Sequence, residues 1–204
     1  MSPPEPLTFA PRPPEGPPAD LAGATAEAAR LLGLPTGEVL TVVVNDPQRH
    51  TATAAVLPHL ASRAGPAGLR VLVATGTHRF GPAQVRGFEA ALGGAGACGA
   101  FAWHDDASPA LRDVGGWRAH PWLAEGGPVL AVGSVEPHYF AGFTGAHKTC
   151  TIGAASRADI ERNHAAALDP SARPGRLDGN GVHAGVATML AALEAARGRP
   201  VFAL

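Results

Sequence analysis

Three short apolar runs constrain the fold of this 204-residue chain more than any other feature. They cover Val39–Asn45, Leu69–Ala74 and Pro128–Gly133, are rich in β-branched residues, and show no alternation of apolar and polar positions. Strands of this kind are buried on both faces, as in parallel sheets that helices cover. A weaker run, Gly99–Trp103, predicts a further strand. The sequence therefore predicts an α/β protein built on a parallel sheet.

Helical patterns separate the predicted strands. Ser156 and Asp159 have the spacing of a capping box, which marks the start of one helix. The region between Gly133 and Ile152 is predicted to be irregular, and the final apolar run, residues 201–204, is typical of a beginning strand. Strands that alternate with helices indicate a Rossmann-like parallel sheet with helices on both faces. The predicted helices are Ala19–Leu32, Thr53–Ala64, Pro82–Leu92, Ser156–Leu168 and Val182–Arg197.

Composition excludes several classes of partner. The chain has 16 basic and 17 acidic residues and only 5% aromatic residues, which argues against a nucleic-acid or anionic-membrane surface. It has neither a signal pattern nor an apolar stretch of the roughly 20 residues that a membrane span needs. We expect a cytoplasmic protein with no nucleic-acid or membrane partner. Residues 1–19 are rich in proline and are predicted to form a poorly ordered arm, which leaves residues 20–204 as one α/β domain.

Polar residues follow four of the predicted strands, at the point where each strand ends. In open α/β sheets, ligands bind beyond the carboxyl ends of the strands. Any one of these loops is explained by ordinary turn formation, whereas four of them together favour a site. The loops contain Asn45–Arg49, Thr75–Arg79, His104–Asp106 and Glu136–His138.

Two further features lie later in the chain. The loop Ala141–Lys148 carries glycines before a lysine, an arrangement that can present amide N–H groups and an ammonium to an anion. A buried lysine can also form a covalent bond to a cofactor. His164 lies in a predicted helix without a second ligand one turn away, so it does not form a conventional all-protein metal site.

Taken together, these segments resemble the nickel-dependent lactate racemases in order and approximate spacing. The resemblance runs from about Val39 to Ala167. The segments that carry it are Asn45–Arg49, Ala74–Arg79, His104–Asp105, Glu136–His138, Ala141–Gly145, Lys148 and Asn163–His164.

The resemblance implies a nickel pincer nucleotide, which is nickel held by a pyridinium-derived mononucleotide. Lys148 matches the lysine bound covalently to this cofactor, and His164 matches the one protein ligand to nickel. Asp46 and Arg49 match residues that hold the cofactor or the reacting group, and Gly145 belongs to the cofactor loop.

The resemblance also implies the reaction, which is proton-coupled hydride transfer between the cofactor and a small 2-hydroxy acid. His78 and His138 match a pair of acid/base histidines, one for each enantiomer. Histidine suits this role because its ordinary pKa lies near neutrality.

The sequence departs from the family pattern in two ways. His147 is an additional imidazole directly before Lys148, placed where it could alter the lysine's pKa. Family members are also about twice as long, so the resemblance implies that their C-terminal second domain is absent from this chain and that a second chain could supply it. We expect the isolated chain to turn over slowly, if at all.

Three functions follow from these observations. The first is a racemase or epimerase of a lactate-like 2-hydroxy acid, with this chain carrying the cofactor. The second is a non-catalytic module that binds the nickel cofactor or another mononucleotide. The third is a zinc-dependent hydrolase that uses His78, His104 and His138.

Overall fold

The structure is a computed structural model that describes residues 20–31, 38–64, 68–93 and 99–204. The predicted proline-rich arm, residues 1–19, lies outside the described residues. The strands are β1 Leu40–Asn45, β2 Leu69–Ala74, β3 Ala100–Trp103, β4 Arg112–Asp113, β5 Arg118–Ala119, β6 Val129–Ala131, β7 Pro137–His138, β8 Gly142–Phe143 and β9 Val201–Ala203. The α-helices are α1 Leu21–Leu31, α2 Thr53–Ala64, α3 Pro82–Ala91, α4 Pro121–Ala124, α5 Ala146–Cys150, α6 Arg157–His164 and α7 Gly181–Arg197, with 3-10 turns at Ile152–Ala154 and Ala165–Leu168.

Five strands form one parallel sheet in the order β3-β2-β1-β6-β9. At its centre, Val43 of β1 lies in register with Leu72 of β2 and Ala131 of β6. The chain builds outward from β1 to β3 and then from β6 to β9, so the strand order reverses between β1 and β6. That reversal is the position at which open α/β sheets bind ligands.

Both faces of the sheet are buried, which explains the absence of alternation in the sequence. Val42 and Val44 of β1 belong to one core cluster, together with Leu57 and Leu60 of α2. Val43 belongs to the other cluster, whose members include residues of α4 to α7. The prediction of a Rossmann-like sheet with helices on both faces is confirmed. Within the described ranges, no helix is both long enough and apolar enough to cross a membrane.

The predicted elements match closely where they are long. The bounds of β2 and α2 are those predicted, and residues 201–203 form strand β9. The prediction of an irregular region between Gly133 and Ile152 is wrong, because this region contains the β7–β8 hairpin and helix α5. Elements of two to five residues are too short to show a hydrophobic period.

Helix α6 begins as predicted but ends early. Ser156 is its N-cap, and its hydroxyl accepts the backbone N–H of Asp159 at 3.3 Å. The Asp159 carboxylate accepts the N–H of Arg118 and the Ser156 hydroxyl, but not the Ser156 backbone N–H, which donates to Arg118, so only half of the capping box forms. At His164 the helix tightens into a 3-10 turn instead of continuing as an α-helix to Leu168.

A buried carboxylate joins three segments beneath the edge of the sheet. Asp106, after β3, has a fully buried side chain that pairs with Arg79 from the loop after β2. Its other oxygen lies 2.9 Å from Nη2 of Arg157, the first residue of α6. Because buried charges need compensation, this carboxylate fixes the β2 loop and the start of α6 relative to each other.

We expect Asp106→Ala to lower the free energy of unfolding by about 2–3 kcal/mol, since a charge-assisted hydrogen bond to Arg79 and an ion pair with Arg157 are lost. The neighbouring variant Asp105→Ala is the matched control. Asp105 is exposed and lies 3.6 Å from Arg79, so its loss should cost about 0.5 kcal/mol or less. Urea unfolding of both variants measures the difference, and equal losses would contradict the role given to Asp106.

Candidate functional site

A cleft of about 510 Å³ opens at the carboxyl ends of the central strands, between the loops after β1 and β2 and helices α5 and α6. Its position coincides with the reversal of strand order described above. All seven of the site residues predicted from the sequence line it. They are Asp46, Arg49, His78, His138, Gly145, Lys148 and His164.

His78 and Asp46 form a hydrogen-bonded pair at the mouth of the cleft. Nδ1 of His78 lies 2.7 Å from Oδ2 of Asp46. The other carboxylate oxygen accepts the backbone N–H of Gln48 at 2.9 Å, which fixes the orientation of Asp46. Because a buried carboxylate accepts a proton-bearing nitrogen, Nδ1 donates and Nε2 of His78 keeps its lone pair. The His78 side chain is 44% exposed, so it remains accessible to a ligand.

This pairing refines the role that the resemblance implies for Asp46. The resemblance assigns Asp46 to the cofactor or the reacting group. In the structure its carboxylate contacts His78, and Asp46 is buried. A carboxylate in this position orients the imidazole.

His138 has the opposite hydrogen-bonding state. Its Nδ1 accepts the backbone N–H groups of Ala141, at 3.2 Å, and of Phe140, at 3.5 Å. The neutral ring therefore carries its proton on Nε2. Burial lowers the pKa of His138 to about 4, with further contributions from the charges of Lys148 and Arg49. His138 is thus a hydrogen-bond donor through Nε2 at neutral pH.

We expect NMR titration of the His138 ring to give a pKa near 4, and Lys148→Ala to raise it by removing the nearest positive charge. The folded-state pKa lies below the ordinary value of about 6.5, so the unfolded chain binds a proton first as the pH falls. His138 therefore makes the fold less stable between about pH 6.5 and pH 4. Arg86→Ala, an exposed position of α3, is the control. A His138 pKa near 6.5 would contradict this environment.

Two cations line the cleft without carboxylate partners. Among the described residues, neither Arg49 nor Lys148 forms an ion pair. Burial and the charge of Arg49 lower the pKa of Lys148 to about 8. Although His147 directly precedes Lys148, it does not contribute to the lowered pKa of Lys148, which arises from burial and the charge of Arg49. The cleft therefore favours an anionic ligand and holds an amine that loses its proton readily.

Phe140 connects three of the predicted side chains. Its ring lies edge-on to His164, with centroids 4.8 Å apart, and to His138 at 4.6 Å. The ammonium nitrogen of Lys148 lies 5.7 Å from the same ring centroid. Burial and the charge of Lys148 lower the pKa of His164, so this ring is neutral and able to ligate a metal. Sequence reasoning missed Phe140, and its position two residues after His138 is the only signal that pointed to it.

A polar network, also missed from the sequence, holds the lysine helix against the sheet. Oδ1 of Asn45, at the end of β1, accepts the hydroxyl of Thr149 at 2.7 Å. The Asn45 amide donates to the hydroxyl of Thr51, also at 2.7 Å. At Gly133, after β6, a Cβ would lie 2.8 Å from the backbone nitrogen of Ala146, so the loop and helix α5 approach as closely as glycine allows. Lys148 is thus presented from a fixed support.

His104 does not join this site. Its ring is buried, with Nε2 donating to the carbonyl of Ala155 at 2.9 Å. It is not among the residues that line the cleft. Across residues 20–31, 38–64, 68–93 and 99–204, no group of three or more His, Cys, Asp or Glu side chains is placed to hold a metal. The zinc hypothesis therefore loses its ligand set of His78, His104 and His138.

Comparisons with known proteins relate this chain to the lactate racemases. Residues 122–175 match the family described as "Lactate racemase N-terminal domain". The matched segment contains His138, Gly145, Lys148 and His164, but not Asp46, Arg49 or His78. The chain is 32% identical to the lactate racemase of Lactiplantibacillus plantarum over 150 residues, which are 66% of this chain and 34% of that protein. It is 28% identical to the lactate racemase of Thermoanaerobacterium thermosaccharolyticum over 167 residues, 71% of this chain and 37% of that one.

Solved structures show the same fold. The lactate racemase apoprotein from Thermoanaerobacterium thermosaccharolyticum superposes with a TM-score of 0.73 at 22% identity, over 85% of this chain and 46% of that one. A crystal structure of a Thermotoga maritima protein superposes with a TM-score of 0.75 at 22% identity, over 91% and 50% of the two chains. The chain spans about a third of the length of the curated relatives that it matches.

Proposed function

Because the chain belongs to the lactate racemase N-terminal domain family, we propose that it acts in the racemisation or epimerisation of a small 2-hydroxy acid, with a nickel pincer nucleotide held in the cleft. The observation that carries this proposal is the pair of histidines. His78 and His138 line one cleft in complementary hydrogen-bonding states, beside two cations without ion-pair partners. A hydroxy acid offers the groups that such a cleft would bind, a carboxylate and a hydroxyl.

The substrate would be bound through its charge and its hydroxyl proton. Of the two cations, Arg49 is better suited to bind the substrate carboxylate, because a guanidinium forms paired hydrogen bonds to both carboxylate oxygens. Nε2 of His78 would accept the hydroxyl proton, and Asp46 would stabilise the imidazolium that results. Nε2–H of His138 would donate to a substrate oxygen.

The residues of the cleft fit the cofactor that the family implies. Lys148 has the lowered pKa that covalent attachment needs, and His164 offers a neutral imidazole that contacts the same Phe140 ring. The backbone at Gly145, with φ +145°, lets the chain approach a ligand where a side chain would be strained. When bound, this cofactor would supply a hydride acceptor.

Exchange between enantiomers requires the two histidines to exchange roles. In the state described here His78 is ready to accept a proton, whereas the Nδ1 lone pair of His138 is held by two backbone amides. For His138 to act as the base, its ring must turn over or release those amides. The proposal therefore predicts unequal maximal rates from the two enantiomers at saturating substrate, with the difference set by His138, while kcat/KM stays equal in both directions because enantiomers have the same free energy.

The proposal is tested on protein purified from cells that make the cofactor. Each enantiomer of lactate is incubated with the loaded protein, and chiral chromatography follows the composition over time. We expect each enantiomer to yield the other slowly, as predicted for this chain alone, and the His78→Ala variant, loaded to the same nickel content, to slow this conversion further. Loaded protein that leaves lactate and other small 2-hydroxy acids unchanged would contradict catalysis.

That negative result would favour the second function, a module that binds the nickel cofactor without turnover. One observation supports it. The segment matched to the family contains the attachment and ligand candidates Lys148 and His164, but only one of the two acid/base histidines. The geometry of the His78–Asp46 pair favours catalysis, because a binding module has no need of an oriented proton acceptor.

A further inference from the structure

Two histidines face each other outside the cleft. His147 lies on helix α5, directly before Lys148, and His183 lies in the first turn of helix α7. Their ring centroids are 5.7 Å apart and the ring planes are inclined at 81°. Neither residue lines the cleft described above.

Each ring has one buried nitrogen without a hydrogen-bond partner. The two atoms are Nε2 of His147 and Nδ1 of His183. Buried polar atoms are nearly always satisfied, because leaving one unpaired costs the free energy of its lost hydration. Two such atoms on adjacent, edge-on rings therefore indicate a group that would bind both of them. Burial, His183 and Lys148 all lower the pKa of His147, which keeps its ring neutral at neutral pH.

We propose that His147 and His183 together bind one divalent transition-metal ion of the zinc, nickel and copper group. Imidazole nitrogen is a preferred ligand of these ions. Two imidazoles bound at about 2.0–2.1 Å to one ion have ring centroids roughly 5–6 Å apart, which includes the observed separation. Two protein ligands leave coordination positions that water would fill. No third His, Cys, Asp or Glu is placed to join them in the part of the chain that the structure describes.

The ion would connect two elements that hold the cleft. Helix α5 carries Lys148, and helix α7 packs against it. A metal bridge between them would fix the lysine helix through a contact additional to the Asn45–Thr149 hydrogen bond. This site is separate from His164 and does not depend on the pincer cofactor.

The test uses the full chain purified from cells that lack the cofactor, with Ni²⁺ as the probe. Isothermal titration calorimetry compares the wild type with His147→Gln and His183→Gln. Loss of one of two protein ligands should weaken Ni²⁺ binding by about tenfold or more in each variant. His164→Gln and the exposed His50→Gln are the controls, and both should keep the wild-type affinity at this site.

NMR gives a second measurement that needs no variant to fold. In the wild type, Ni²⁺ should broaden the ring signals of His147 and His183 before those of His78 and His138. Binding should weaken below about pH 6, because the ligating nitrogens must be unprotonated. Unchanged affinity in both His147→Gln and His183→Gln, or first broadening at His138 and His164, would overturn the proposal. Loss of binding in His164→Gln alone would assign the metal to the cleft instead.

Discussion

Replacing His78 by alanine is expected to slow the interconversion of 2-hydroxy acid enantiomers by about 10²–10⁴-fold, the usual contribution of a positioned acid/base group. Asp46 accepts a hydrogen bond from Nδ1 of His78 at 2.7 Å, and this bond orients the imidazole. Nε2 of His78 is therefore left with an accessible lone pair. No other histidine lining the cleft has a carboxylate partner within the described residues. The measurement is the initial rate of conversion of each lactate enantiomer, with nickel content matched between the proteins.

The companion variant Asp46→Asn separates orientation from proton transfer. An amide in place of the carboxylate no longer fixes the tautomer, and it no longer stabilises the protonated ring. We expect a rate loss of at least about tenfold with His78 still present. His50→Ala removes an exposed imidazole four residues from Asp46 and should leave the rate unchanged. If His78→Ala and His50→Ala have the same rate, His78 is not the base.

Replacing His164 by alanine is expected to remove most of the bound nickel while leaving the covalent adduct on Lys148. His164 is the neutral imidazole next to Phe140, and the cleft offers no group of three metal-binding side chains in the described part of the chain to replace it. The remaining ligands would therefore come from the cofactor. Metal analysis of desalted protein gives nickel per chain, and intact mass gives the adduct.

His164→Gln and Phe140→Leu refine this result. His164→Gln removes the ligand and keeps a polar side chain of similar length, so it should lose nickel to the same extent as His164→Ala. Phe140→Leu removes the ring that packs against His164, Lys148 and His138, and it should lower nickel retention only in part. Full nickel retention in both His164 variants would show that this histidine is a packed helix residue.

The sequence predicted the sheet well because buried strands leave a strong pattern. The apolar run that forms β2 had the predicted bounds, and the loss of alternation in Val42–Val44 correctly indicated burial on two faces. The residues at the strand ends then came together because parallel strands share one edge. That topological rule correctly predicted that His78 and Asp46 lie in the same cleft, although they are 32 residues apart in the sequence.

The remaining features depended on contacts that no periodicity encodes. The sequence grouped His104 with His78 and His138, but its ring turns into the core and donates to Ala155. The opposite tautomers of His78 and His138 arise from a carboxylate in one case and from backbone amides in the other. The facing imidazoles of His147 and His183 are brought together only when α5 packs on α7.

The most direct test of the central claim is the intact mass of this chain purified from cells that synthesise the nickel cofactor. If the cleft carries that cofactor covalently, the wild-type spectrum shows one added mass per chain, and Lys148→Arg shows none because a guanidinium cannot replace the lysine amine. Lys148→Arg keeps the positive charge, so loss of the mass reports the bond and not a general loss of anion binding. A wild-type spectrum at the unmodified mass, from cells shown to contain the cofactor, would contradict the account.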